Sequence, residues 1–417
     1  MKLKNLIIMA VIAAVLIVAA VRSSREKTGA AADRGGKLLL PDLPVNDVET
    51  LVVTTPQDTV TVARASDAWG VAGRYNYPAD FNKIRGLLLK LADLKIGQVM
   101  TIEEAQKPAL KMVMPGGGQA SGTLLALQGG GGKKIAALLI GADHKRKPPQ
   151  GDAGFPGGGY SDGCYVSPDG GKSVYLISQT LDDVAGVAKE WLDRDLASVE
   201  SSEIAEVSVA GGEGTTLRFT RPAAGGSLTL EGLTDKEEGD SGKLSSLESA
   251  LSYLRADDVA DPSLSDARLG MTNATVFTAV TKKGEIYTAT VGGTAAGTGQ
   301  RYVRLAVALK PAEPPPPPAA APAPADTNAA VAATNDVAAA AKAAAEERKK
   351  TEEKVAALGK KLQPWTFLVE SYKAESMTPT RAALVKEKKQ EEKKAEGQPA
   401  AEAGAVTNAA AAPAPAN

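Results

Sequence analysis

One pattern occurs twice in this chain. Phe81, Ile84, Leu88 and Leu91 recur as Leu244, Leu247, Leu251 and Leu254, each 163 residues later. The spacing 0, 3, 7, 10 is an apolar stripe along one side of a helix. Alternating apolar and polar stretches precede the stripe in both places. In the first they are Val48 to Val53, Thr59 to Val62 and Trp69-Gly70-Val71; in the second, Ile204 to Val209, Leu217-Arg218-Phe219 and Leu228-Thr229-Leu230. Period-two alternation with glycine-rich breaks reads as a three-stranded meander. Asp80 is placed to cap the first helix, and Asp240 or Ser241 the second.

Further strands follow each helix. In the first copy they are Thr123 to Leu127, Ile135 to Ile140, Cys164-Tyr165-Val166 and Val174 to Ile177. In the second they are Val276 to Val280, Ile286 to Val291, Tyr302 to Leu309 and Trp365 to Val369. Gly141 and Gly292 close equivalent strands. The expected fold class is α+β: two tandem copies of a β-meander/helix/β-strand unit, after one N-terminal transmembrane helix.

The remaining segments follow from composition. Leu6 to Val21 is a sixteen-residue run without charge, flanked by Lys2 and Lys4 and by Arg22, Arg25 and Lys27. A spanning helix needs about 17–25 residues, and flanking basic side chains extend the reach of a shorter one. The small-residue pattern of a cleavage site is poorly formed, so 1–37 is read as an uncleaved anchor and stalk. The domains are then 38–195 and 196–382. The second is interrupted at 311–362 by a stretch that opens with Pro314 to Pro318 and continues as an Ala/Lys/Glu run, Val337 to Leu362, read as a solvated helix. Residues 383–417 mix both charges with few core-forming side chains and read as a disordered tail.

Counts of chemistry-bearing residues narrow the function. The chain has one His, His144, and one Cys, Cys164. No Cys/His zinc site can be built from two such residues, and a Ser-His-Asp triad would have to use His144. His144 lies in Gly141-Ala142-Asp143-His144-Lys145-Arg146-Lys147, which reads as a strand end running into an exposed loop. Neither Gly132-Lys133-Lys134 nor Gly171-Lys172-Ser173 completes a phosphate-binding loop, because Leu127 and Val166 stand where its first glycine must be. Asp182-Asp183 and Asp257-Asp258 read as capping or solvated pairs. A net charge of −1 argues against a polyanion partner, and Lys145-Arg146-Lys147 has no interleaved aromatic residue. No catalytic, cofactor-binding or metal-ligating residue is assigned, and no cofactor or nucleic acid is expected.

Several short motifs carry a family resemblance. They are Trp69-Gly70-Val71, Tyr77-Pro78-Ala79-Asp80 with the leucine-rich helix after it, Gly163-Cys164-Tyr165-Val166, Val174-Tyr175-Leu176-Ile177 and Trp191-Leu192-Asp193-Arg194-Asp195-Leu196. With the apolar N-terminus, their order resembles the bacterial domain-of-unknown-function family numbered 4340, over roughly 38–310 and 363–380. The long insertion and the Pro/Ala-rich tail depart from that family. The resemblance implies an anchored envelope protein whose gene often neighbours ABC-transporter subunits of the gliding-motility type. It implies no catalytic residue.

The sequence therefore leads us to expect a non-enzymatic protein of the inner (cytoplasmic) membrane, single-pass through residues 6–21, with its bulk periplasmic or extracytoplasmic. Its expected role is that of an interaction or accessory subunit, with ABC-transporter permease subunits as partners. The alternative is a glycan- or small-ligand-binding module that uses the cleft between the two repeats. The single His and Cys and the lack of an assembled motif favour a surface over a reaction.

Overall fold

The computed structural model describes residues 35–388, except 67, 117, 119, 147–159, 212–213 and 312–326. The strands of the first half are β1 (Thr50–Thr54), β2 (Thr59–Ala65), β3 (Ala68–Val71), β4 (Tyr77–Pro78), β5 (Gln98–Met100), β6 (Thr123–Gln128), β7 (Lys134–Arg146), β8 (Tyr160–Ser167), β9 (Val174–Ile177) and β10 (Asp195–Ala197). The second half holds β11 (Ile204–Ala210), β12 (Thr216–Thr220), β13 (Thr229–Leu230), β14 (Glu237–Gly239), β15 (Leu254–Arg255), β16 (Asp258–Val259), β17 (Thr275–Thr281), β18 (Glu285–Thr294), β19 (Arg301–Leu309), β20 (Phe367–Val369) and β21 (Val385–Glu387). The helices are α1 (Phe81–Ala92), α2 (Ser241–Glu248), α3 (Thr327–Leu362), α4 (Ser371–Ser376) and α5 (Arg381–Leu384).

Two large antiparallel sheets result. One has the order β4-β3-β2-β1-β6-β7-β8-β9-β5, the other β13-β12-β11-β17-β18-β19-β20-β16. Apart from β4, the two orders correspond strand for strand in chain sequence. Alternation explains the inner faces: Leu51 and Val53 of β1, and Tyr287, Ala289 and Val291 of β18, all point into one continuous core that spans both sheets.

The fold is thus predominantly antiparallel β, which corrects the expected α+β class. Helix is the minor partner because the alternating segments of both halves pair into long antiparallel ladders. Among the described residues no helix is long and apolar enough to cross a membrane. Residues 6–21 lie outside the described residues.

The two helices inside the repeats also differ from their stripes. Helix α1 buries Ile84, Leu87, Leu88 and Leu91, while Phe81 is 58% exposed. Helix α2 stops at Glu248, so Leu251 and Leu254 are buried from the turn and strand beyond it. Serine hydroxyls bond back to the carbonyls of Gly242 and Ser245, a competition that weakens short helices. The caps match closely. The carboxylates of Asp80 and Asp240 each accept a backbone N–H three residues on, from Lys83 and Lys243, both at 3.1 Å.

The two glycines are equivalent but do not close their strands: β7 runs on to Arg146 and β18 to Thr294, and each glycine sits where a loop crosses the strand. In the first sheet the loop residues Leu110-Lys111-Met112 cross β7 at Gly141, where a Cβ would stand 2.4 Å from the Leu110 carbonyl and 2.5 Å from the Met112 methyl. In the second, Leu269-Gly270-Met271 crosses β18 at Gly292, where a Cβ would stand 2.4 Å from the Leu269 carbonyl and 3.1 Å from the Met271 methyl. The middle residue of each crossing is left-handed, Lys111 at φ 53° and Gly270 at φ 68°. Met112 also seeds a small second core with Leu139 and Val174.

The reading of 337–362 as a solvated helix holds only for its exposed residues. Over its last turns α3 docks on β19: Val355 and Leu362 are buried, and Lys354 bonds the buried Glu285 carboxylate at 2.8 Å. Arg348 donates to the Lys310 carbonyl at 3.0 Å, closing the interruption at its base. Past it, Ala374, Met377 and Leu384 are buried, and β21 pairs with β14, so the chain is ordered to residue 388. Residues 389–417 lie outside the described residues.

Candidate functional site

Charged and aromatic groups concentrate where the two halves meet. The small sheet β10–β15 starts this seam, placing Asp257 and Asp258 just beyond β15. Asp257 accepts from Lys189 at 3.0 Å and Arg194 at 2.9 Å, both from the first half, and also from Gln300. Burial would raise the Asp257 carboxyl, but the bonds from Lys189 and Gln300 and the charges of Lys189 and Arg194 hold it below the usual carboxylate range. Asp258 accepts from Arg74 Nε through both oxygens, at 2.7 and 3.0 Å. The backbone at Tyr75 and Asn76 is left-handed (φ 55° and 59°), beside the Arg74 that makes this bond.

Aromatic packing continues the seam. Tyr77 is fully buried, donates its hydroxyl to the Asp193 carbonyl at 3.0 Å, and meets Trp365 and Phe367 edge-on at 5.0 and 6.0 Å between centroids. Burial pushes its phenol well up. Lys361 of α3 bonds the Asp193 carboxylate and the Asp195 carbonyl, both at 2.7 Å. Trp191 is buried with its indole N–H on the Ala185 carbonyl at 2.8 Å, and Lys83 lies 4.9 Å over its ring. Beside Trp365, Arg304 and Asp261 line a cavity of about 270 Å³.

This arrangement clamps. Asp193, Asp257 and Asp258 each face a cation of the other half, and these pairs tie the two halves together. Asp257-Asp258, read from sequence as capping or solvated acids, is instead the centre of the cross-half pairing. No local signal marked it, because the partners lie 63 to 184 residues away.

The other candidates are placed as follows. His144 lies within β7, not in a loop, and its Nδ1 is 2.6 Å from an oxygen of Asp162. A break in register between His144 and Lys145 leaves Asp162 unpaired in β8 and turned to the imidazole. The hydrogen bond from His144 holds the Asp162 carboxyl below its usual range. Asp143 does not join this pair; it accepts from Ser161 at 3.2 Å. Among the described residues no hydroxyl or thiol bonds the other ring nitrogen of His144.

Cys164 is buried with its thiol on the Gln179 carbonyl at 3.4 Å, and burial pushes it up to about 12. Asp182 bonds Thr180, and Asp183 pairs with Lys90. Gly171-Lys172-Ser173 turns between β8 and β9, where the Asp169 carboxylate accepts the backbone N–H groups of Lys172 and Ser173. Lys145 and Arg146 end β7; Lys147 lies outside the described residues. Among the described residues no group of three or more His, Cys, Asp or Glu could hold a metal ion.

Comparison with known proteins bears on this region. Residues 154–274 match the family model described as Domain of unknown function (DUF4340). That span runs from β8 through the seam to the end of the second crossing loop, and includes Lys189, Trp191, Arg194, Asp257 and Asp258. No curated protein matches the chain, and no solved structure does.

Proposed function

We propose that the chain is a non-enzymatic envelope protein that acts as an interaction or accessory subunit of an ABC-transporter assembly. The observation that carries this reading is the clamped seam. Its charged groups neutralise one another across the two halves, so what the body offers a partner is a rigid two-sheet surface. Attachment to the inner membrane through residues 6–21, with the bulk outside the cytoplasm, is part of the proposal. The uncharged run with its basic flanks supports the attachment, and the resemblance to family 4340 supports the side. The permease partner is suggested by the resemblance to family 4340 and its gene neighbours.

The glycan- or small-ligand alternative has less support. The cleft it needs is filled by Tyr77, Trp365, Phe367 and the Asp257 pairs, and the cavity beside it, about 270 Å³, is at the small end for a ligand site. Crosslinking intact cells and purifying the full chain from membranes tests the proposal. Permease subunits should co-purify; recovery of the chain without any membrane-protein partner would sink it.

A further inference from the structure

Helix α1 has three sides with three fates. Ile84, Leu87, Leu88 and Leu91 face the sheet. On one flank Lys83 reaches the Glu190 carbonyl and Lys90 the Asp183 carboxylate, tying the helix to the segment before Trp191. On the other flank Phe81, Arg85 and Leu89, spaced by four residues, form an exposed row. Phe81 is 58% and Leu89 48% exposed. Just beyond the C-cap, Leu38, 41% exposed, pairs with the exposed Lys95. Large apolar side chains in water beside basic ones that pair with no described residue are the composition of a face that meets a bilayer.

The route of the chain says what meets this row. Gly36 donates to the Ile96 carbonyl and Leu39 to the Leu94 carbonyl, so the chain enters the described body at the C-terminal end of α1. Thirteen residues, 22–34, separate this entry from the apolar run ending at Val21. At about 3.5 Å per extended residue they cannot hold the body more than roughly 45 Å from the membrane. Leu38, Lys95 and the Leu89 end of the row therefore lie beside the point where the tether enters.

We propose that the α1 flank of Phe81, Arg85 and Leu89, extended by Leu38 and Lys95, is a second contact with the phospholipid surface and sets the orientation of the two sheets on it. Phe81 and Leu89 enter the acyl boundary, and Arg85 and Lys95 meet lipid phosphates. The inference rests on the membrane-attachment reading above.

The test uses the full chain in vesicles of phosphatidylethanolamine and phosphatidylglycerol, with an environment-sensitive fluorophore on single introduced cysteines. Cys164 is buried and its thiol is pushed up to about 12, so it stays unlabelled. Phe81→Cys and Leu89→Cys replace exposed side chains, and Tyr253→Cys, at a position 80% exposed in the second half, is the reference. Spin-labelled lipids should quench the labels at 81 and 89 at least about twofold, as expected for an apolar face within the interface, and leave 253 unchanged. Equal, unquenched signals at all three positions in a chain that resists carbonate extraction would overturn the proposal and leave the attachment standing. Release of the chain by carbonate would overturn the attachment itself, and this inference with it.

Discussion

The first sheet is covered on its inner face by a twelve-residue helix with four buried apolar side chains; the second has an eight-residue helix that buries Leu244, Leu247 and the Glu248 side chain. The shorter helix leaves inner surface to be covered. The last turns of α3 supply that cover through Val355 and Leu362, and α4 and α5 add Ala374 and Leu384. What composition marks as an interruption of the second repeat is in part a replacement for helix the repeat lacks. A duplicated unit keeps its strand order because each strand depends on two neighbours. Its helical layer can diverge because any apolar stripe of the right length will fill the space.

Perturbing equivalent positions sharpens this comparison. The largest effect is expected where the halves meet. Tyr77→Ala should cost about 3–5 kcal/mol, as for other large buried aromatics, and should separate the unfolding of the two halves in a thermal scan. One unchanged, cooperative transition would show that Tyr77 does not couple them. Next come the crossings. Gly141→Ala and Gly292→Ala both drive a methyl against a carbonyl, and each should cost about 1–3 kcal/mol by urea unfolding. Gly141→Ala should cost more, since Met112 is also closer than Met271.

Smaller losses are expected at the caps. Asp80→Ala and Asp240→Ala should each cost about 1 kcal/mol by urea unfolding. A clearly smaller cost at Asp240 would show that the short helix α2 contributes little. Lys111→Gly should stabilise by up to about 1 kcal/mol, because glycine adopts the left-handed backbone without penalty. No gain would mean that the lysine side chain offsets the strain. The smallest effect belongs to acid. With Asp257 held below its unfolded value near 3.9, its contribution is full above that pH and is lost as pH falls through the lower, folded value. Asp257→Asn should flatten the stability slope below about pH 4.

Much of the strand framework was legible. The stretches around β17, β18 and β19 follow the alternation of strands with one buried face, and Val174 to Ile177 is a short apolar run between breaks. Asp80 was legible as a cap, and Asp240 as one of two candidates with Ser241, because a cap acts within one turn. Gly141 and Gly292 were legible as equivalent, although only their crossing loops show why. Phe81 was misplaced because four residues of a stripe do not say which flank a sheet will cover. His144 was placed in a loop because the register break that brings Asp162 to it lies on another strand.

Sequence alone therefore determined what depends on near neighbours: two runs of strands in one order, two capped helices and a pair of equivalent glycines. Only the tertiary structure decided what depends on distant ones. It joined Arg74 to Asp258 across 184 residues, made Asp257 the centre of the clamp, and turned the end of α3 into core. Periodicity reports the geometry of one element and its faces. It carries no information about which face of a remote element will arrive to pair a charge or fill a space, and in this protein those arrivals hold the two sheets together.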